Sequence, residues 1–418
     1  MQDMLYLTHR IPYPPNKGDK IRSYHLLKFL TQHFRVHLGT FVDDPQDRQH
    51  IAHVKSLCGE CHFAELHPPT AKLRSLSGLL SGEPLTLMYY RDANLKTWAD
   101  ALLAQGAISH IVVFSSAMAQ YAMLSNSATR IIDFVDVDSD KWRLYAPTKA
   151  WPLSWLYRRE SSLLLDLERK VASEFDASLF VSDTEATLFK TLAPESAAKI
   201  SYFNNGVDAA FFNPATRYSN PYSDNEEVIV FTGAMDYWPN VDAVVWFAQE
   251  ILPRILAQRP QVLFYIVGGK PSAAVRKLSA LQGVRVTGAV ADVRAYLQHA
   301  RVAVAPLRIA RGVQNKVLEA MAMAKPVVVT PQALEGINAR INEEVLLASD
   351  SMEFSDIVIT LLAAPVHEKK LGAAARARVL ADYDWEQNLL RVSQFLHQAP
   401  VLARNSEGGK FIYKETQV

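Results

Sequence analysis

Two cysteines in 418 residues, Cys58 and Cys61, leave little room for metal or thiol chemistry. Their C-x-x-C spacing needs a second pair or a matching histidine to build a zinc site. His62 and His67 are close, but not at a zinc-binding spacing. A redox pair would open a helix after a strand, so these two read as ordinary reduced thiols of an intracellular protein. The formal net charge of only +1 excludes a nucleic-acid binder held by bulk electrostatics. No apolar run approaches the roughly 18 residues that span a bilayer, and Met1 to Arg10 is too short and too polar for a secretory signal. No G-x-G-x-x-G occurs, so the dinucleotide fingerprint is absent. The expectation is a soluble cytoplasmic protein, with contact at the membrane surface left open.

What is present is core. With 49% hydrophobic and 21% charged residues, this length suggests two domains, or three. Met4 to Leu7 is a short apolar strand. A loop rich in Pro and Gly follows, and a helical pattern begins after Gly18 (Ile21, Tyr24, Leu27, Leu30). Strand, glycine loop and helix open a doubly wound sheet, whose ligands sit beyond the strand carboxyl ends. Val36–Val42 is the next strand. Asp43 to Ala107 reads as mostly helical, with breaks at Pro68-Pro69 and at Gly82-Glu83-Pro84. Ile111–Phe114, Arg130–Val135, Leu179–Val181 and Ile200–Phe203 read as further strands, and Ser182 with Glu185 as an S-x-x-E helix start. Ala150 to Val171 carries Trp151, Trp155, Tyr157, Arg158 and Arg159. It reads either as a packed amphipathic helix or as an interfacial membrane contact.

Residues 213–227 are polar and carry two prolines without a hydrophobic period, the best domain linker in the chain. Then the pattern restarts: Val228–Gly233 strand, Val241–Leu256 helix, Val262–Gly269 strand, Val284–Gly288 strand, Ala291–Ala300 helix. The fold class is α/β, two Rossmann-like doubly wound domains facing across a cleft. The first covers 1–212, completed by a last helix near 380–400; the second covers 228–372. The polar tail 403–418 reads as flexible.

The stretch Ala305 to Thr330 (APLRIARGVQNKVLEAMAMAKPVVVT) carries the first functional clue. It reads strand, turn, helix, strand. A helix starting near Val313 would offer free N–H groups and a positive dipole end to an anion, and Gly312 would let backbone approach it. Lys316 lies in the first turn, with Arg308 and Arg311 just before it. Glu319, three residues on, could hold a vicinal diol such as a ribose. The alternative is a solvated i,i+3 ion pair of Lys316 and Glu319. A second cluster follows the strand Arg130–Val135. Asp136, Asp138 and Asp140 alternate, and on an extended strand would share one face, with Asp133 on the other. They read either as cleft groups, Asp136 and Asp138 foremost, that bind sugar hydroxyls or act as a base, or as an Asx-capped turn before a helix. The glycine and distal glutamate of an EF-hand are missing.

Several segments, in order, resemble the GT-B glycosyltransferases of retaining family 4: PPNKGDKIRSYHLLKFL, YFNNGVDAAFFNP, FTGAMDYWPN, VGGKP, VTGAVADVRAYLQHA, KVLEAMAMAKPVVVT and DWEQNLL. The resemblance runs from Met4 to about Pro400, and the L-E-A-M-A signature is its most specific part. DFVDVDSDKW and GVQNKVLEAMA further resemble sugar transferases of bacterial exopolysaccharide clusters, including those beside exosortase systems. The resemblance implies that Glu319 holds the donor ribose. The backbones of Gly312 and Val313 would meet the diphosphate, Gly233 would lie under it, and Gly18 would approach it from the other domain. It also implies a nucleotide-sugar donor, a glycan or lipid-linked acceptor, and no metal or other cofactor. The chain departs from the family where Arg311 replaces the first of two glutamates eight apart. The usual Arg and Lys are missing from AMDYWPN, and the cleft histidine is absent, with Asp136 or Asp138 as its substitute. Lys316, Arg308 and Arg311 would then supply the positive charge that stabilises a departing diphosphate. A sugar-nucleotide epimerase or a non-catalytic glycan-binding subunit of the same fold are the competing readings. A hydride-transfer enzyme is disfavoured, because VGGKP lacks the third glycine and the ribose-binding acid.

Overall fold

The computed structural model describes residues 1–123, 128–223, 226–310 and 312–398. Two all-parallel sheets organise them. The first holds seven strands: β1 (Gln2–Thr8), β2 (Phe34–Val42), β3 (Cys61–Glu65), β4 (Ile108–Phe114), β5 (Thr129–Val135), β6 (Ala177–Phe180) and β7 (Ile200–Tyr202). Their spatial order is β3-β2-β1-β4-β5-β6-β7. The second holds β8 (Glu227–Thr232), β9 (Val262–Val267), β10 (Val284–Gly288), β11 (Val302–Ala305), β12 (Val327–Val329) and β13 (Leu346–Leu347), ordered β10-β9-β8-β11-β12-β13. Both sheets therefore reverse direction beside their first strand, between β1 and β4 and between β8 and β11. In doubly wound sheets ligands bind at this reversal.

Burial on both faces explains why the strands read as apolar runs. Leu5, Leu7, Ile111 and Val113 pack on one face of the first sheet, and Met4, Tyr6, Leu38 and Val112 on the other. A separate core gathers around Val230, Phe231, Phe264, Val304 and Val328 of the second sheet. Segment 213–223 joins the sheets but is pinned to the second. Tyr222 is buried in its core, and Gln298 bonds both the Tyr218 N–H and the Pro214 carbonyl. The last helix, Trp385–Gln398, returns to the first sheet, where Trp385, Leu389 and Val392 join the core. Gly206 lies so close to Trp385 that a Cβ there would overlap the indole.

The segment Asp43 to Ala107 is mostly helical, as expected, and also contains an edge strand, β3, opened by Cys61. Two expectations need correction. The helix of the Ala305–Thr330 unit starts at Asn315, two residues later than expected. The alternating aspartates do not ride on a strand. Val135 ends β5 with a φ of 71°, strained for a β-branched residue, and a helix begins at Asp138. That helix start carries no side-chain cap from its N-cap residue, Val137; within the turn before it, Asp133 accepts from the Val135 N–H two residues on at 3.2 Å, the bond of an Asx turn. Glu185 caps the helix from another element, accepting from the Val137 N–H at 2.9 Å, while Ser182 caps Glu185's own helix.

Candidate active site between the domains

The two helices that follow the reversal points aim their N-termini at each other. Gly18 opens the helix Gly18–His33, and a Cβ added to it would lie 3.5 Å from Nδ2 of Asn315, the first residue of the opposing helix Asn315–Ala322. Neither N-cap residue, Lys17 or Gln314, caps its helix with its side chain, and Asp19 takes up the Lys20 N–H of the first helix at 3.0 Å, so the remaining first-turn N–H groups and two positive dipole ends converge on one gap. Asn205, in the turn after β7, reaches across with its Nδ2 3.1 Å from Asn315 Oδ1. Asn205 also accepts from Arg22 at 2.9 Å, and Arg22 is fixed by a bidentate pair with buried Asp133.

Gly312 must be glycine for two reasons. Its φ is 63°, and a Cβ there would overlap Oδ1 of Asp136 from the other domain. Val313 packs on the second core and against Gly336. Lys316 leaves the helix toward the turn after β8. A Cβ on Gly233 would overlap Asn240 Nδ2 at 2.7 Å and crowd the Lys316 Cε at 3.3 Å, so this glycine makes room first for Asn240 and then for the lysine. The Lys316 ammonium donates to Asn240 Oδ1 at 3.0 Å, and Asn240 donates to the Ala234 carbonyl at 2.9 Å. Burial pushes the Lys316 pKa down to about 8, against the pull of Glu319. Burial likewise pushes the Glu319 carboxyl up to about 7, against Lys316. Among the described residues the Glu319 carboxylate has no hydrogen-bond partner.

Lys141, from the first domain, lies 3.5 Å from Asp136 and 3.3 Å from Asp138. Burial opposes its charge, but the two aspartates outweigh burial and raise its pKa above the usual lysine range. Tyr237 of the second domain adds to that rise. Asp138 also receives Ser116 Oγ at 3.5 Å. Asp140 turns away to Arg143, at 2.6 Å.

Sequence reasoning named Gly18, Gly233, Gly312, Val313, Lys316, Glu319, Asp136 and Asp138, and the structure gathers these around the gap. Arg308 instead forms a two-pronged pair with Asp242, at 2.6 and 3.0 Å, over the Trp246 ring. Arg311 lies outside the described residues. Three residues escaped the reading: Asn240, Asn205 and Lys141. Lys141 had a visible signal, its place three after Asp138. The two asparagines act across turns or domains, where no local spacing points to them.

The sequence profile described as "Glycosyl transferases group 1" matches residues 226–364, the second sheet and its helices. A GDP-mannose-dependent monoacylated alpha-(1-6)-phosphatidylinositol monomannoside mannosyltransferase of Corynebacterium glutamicum is 26% identical over 255 residues, 56% of this chain and 65% of the relative. The match therefore spans just under two thirds of that protein. Among solved structures, sucrose-phosphate synthase of Thermosynechococcus elongatus superposes with a TM-score of 0.69 at 17% identity, covering 95% of this chain and 99% of that one. Anabaena HepE, in complex with UDP and glucose, gives 0.65 at 15%, covering 95% and 99%. A glycosyltransferase of Rickettsia africae gives 0.64 at 14%, with the same coverage. The fold is thus the two-domain GT-B arrangement, and the second domain is similar in sequence to the group 1 glycosyl transferases over residues 226–364.

Proposed function

We propose that this protein is a retaining glycosyltransferase. It moves a hexose from a nucleoside diphosphate sugar to a glycan or lipid-linked acceptor, in bacterial exopolysaccharide or cell-surface polysaccharide synthesis. It works in the cytoplasm, at the inner face of the membrane. One observation carries the reading: two helix N-termini face each other beside Lys316 and a Glu319 carboxylate that has no hydrogen-bond partner among the described residues. The N–H groups and Lys316 suit a diphosphate, and Glu319 suits the two hydroxyls of a ribose one helical turn along.

In this reading the bond from the anomeric carbon to the leaving phosphate breaks as the acceptor oxygen attacks from the same face. Negative charge builds on the diphosphate, where Lys316 and both helix ends stabilise it. The departing phosphate oxygen takes the acceptor's proton, so no protein nucleophile is required. Asp136, held by Lys141 and pressed on Gly312, contributes a carboxylate to the sugar side of the gap once the domains close. These cations do the work a metal ion would do, so the reaction needs none.

The test is a thermal-shift and calorimetric screen of nucleoside diphosphates and their sugars, GDP-mannose and UDP-glucose included, without added metal. A rise in melting temperature with one of them, lost in Glu319→Ala, supports the reading and names the base. No response to any of them removes the donor site. Product analysis with the donor alone separates transfer from epimerisation, which needs no acceptor.

A further inference from the structure

The first domain carries an apolar face that its own core does not use. Leu80 is 94% exposed, Trp151 81% and Leu73 72%, with Leu76, Leu153 and Trp155 each about half-exposed. These residues come from two segments about 70 positions apart, which the fold brings together. Arg159, one helical turn after Trp155, donates to the carbonyls of Gly78 (2.6 Å) and Glu83 (3.4 Å). Glu160 accepts from the backbone N–H groups of Leu85 and Thr86, at 2.7 and 2.8 Å. The exposed leucines of 73–80 therefore flank the tryptophan end of the helix Leu153–Glu174.

The charge of the same two segments is one-sided. Residues 141–159 hold Lys141, Arg143, Lys149, Arg158 and Arg159 and no acidic residue. Residues 66–82 hold Lys72 and Arg74 and no acidic residue. Lys141 and Arg143 are matched by Asp136, Asp138 and Asp140, so the cations this face offers are Lys72, Arg74, Lys149, Arg158 and Arg159, of which Lys72, Arg74 and Arg158 are exposed. Tryptophans and leucines ringed by cations match the apolar–anionic boundary of a bilayer, where rings sit at headgroup depth and cations meet anionic lipid.

We infer that this face seats the protein on an anionic membrane surface, with leucines 73, 76 and 80 and the 151–155 turn entering the headgroup layer. Its position fits the work of the cleft. The helix Asp138–Tyr145 begins with Asp138, which with Asp136 just before it holds Lys141 in the gap, and carries the exposed Leu144 in its last turn beside the apolar face. Tyr145 meets Trp238 of the second domain at 5.9 Å between ring centres. A lipid-borne acceptor would thus present its head group to the gap without leaving the bilayer. Only this last orientation rests on the proposed transferase activity; the seating itself does not.

The experiment is vesicle co-flotation of the whole chain with phosphatidylcholine alone and with phosphatidylcholine–phosphatidylglycerol. The protein floats with the anionic vesicles, and salt weakens the association. Trp151→Ser with Trp155→Ser, and separately Leu73→Ser with Leu80→Ser, each reduce it about tenfold or more. Met352→Ser and Val366→Ser, exposed apolar positions of the second domain, leave it unchanged. Because every substituted side chain is exposed, melting temperatures and nucleotide-sugar thermal shifts stay at wild-type values, which keeps this test separate from that of the donor site. Failure to float with either vesicle overturns the inference, as does flotation indifferent to the substitutions. A dimer in light scattering that the Trp151→Ser and Trp155→Ser changes dissolve, without vesicle binding, overturns it in favour of self-association.

Discussion

Two pairs of opposite charge sit near the cleft, and they differ in how their hydrogen bonds are accounted for. Arg22 and Asp133 are fully buried and fully used. The guanidinium makes two bonds to Asp133, reaches the carbonyls of Phe203 and Phe180, meets Asn205, and lies 3.5 Å over the Phe203 ring. Lys316 and Glu319 are partly buried and under-used: the lysine donates to Asn240 at 3.0 Å and, at the long limit of 3.5 Å, to Gln314, and the carboxylate has no partner among the described residues. Burial costs a charge solvation, which a structural pair recovers from protein partners. A pair that leaves the cost unrecovered is placed to recover it from a ligand.

Removing one charge from each pair should break the comparison most sharply. Arg22→Ala or Asp133→Ala strands a buried charge, with an expected loss of about 3–5 kcal/mol in denaturant titration. Glu319→Ala should cost no stability and should relieve a carboxyl that burial disfavours. It should lower donor affinity about 10- to 100-fold, since hydrogen bonds to charged groups contribute roughly 1.5–3 kcal/mol. If Glu319→Ala instead unfolded the protein with donor affinity intact, the pair would be structural and the site misassigned.

The contrast also shows what the sequence could and could not tell. Lys316 and Glu319 were legible because they share one helix at a spacing of three and flank a glycine turn. Arg22 and Asp133 were not, because their partnership spans 111 positions and depends on how β5 and the first helix dock. Asp133 was therefore set aside as the residue on the wrong face, while Asp136 and Asp138 were placed on a strand that Val135 had already ended. β3 escaped for a related reason. Cys-His-Phe-Ala-Glu lies at a sheet edge with only Ala64 fully buried, so it shows neither an apolar run nor a clean alternation. The buried strands, capped helix starts and restart after the linker were readable because each rests on a local pattern. Contacts across the cleft rest on none.

Gly312→Ala sharpens the comparison by disturbing the gap without touching either pair. A left-handed φ costs a non-glycine residue roughly 1–2 kcal/mol, and the new methyl would push Asp136 and the first domain away. Donor affinity should fall about tenfold. Asp136→Gly in the same chain should restore the fit but not the backbone cost, so calorimetry on the double-mutant cycle should show positive coupling. The pH dependence is gentler. On the proposed reading, donor binding uses an ionised Glu319 and a protonated Lys316. Affinity should therefore rise as the carboxyl ionises near pH 7 and fall as the ammonium loses its proton near pH 8. Glu319→Gln should remove the acidic limb alone; a profile unchanged by that substitution would exclude Glu319 from donor contact.

A third pair tests the exposed extreme. Lys270, in the turn after β9, reaches Asp44 of the first domain at 3.0 Å, and their side chains are 59% and 22% exposed. It bridges the two domains, yet solvent screens it, and such pairs contribute roughly 0.2–1 kcal/mol. Lys270→Ala should leave melting temperature and kcat nearly unchanged and raise the donor KM by no more than about fivefold at low salt. Near 1 M salt, where the Debye length is about 3 Å, wild type and variant should converge. A KM effect that persists there would mean that Lys270 touches the donor itself, and would move it from the interdomain contact into the site beside Lys316.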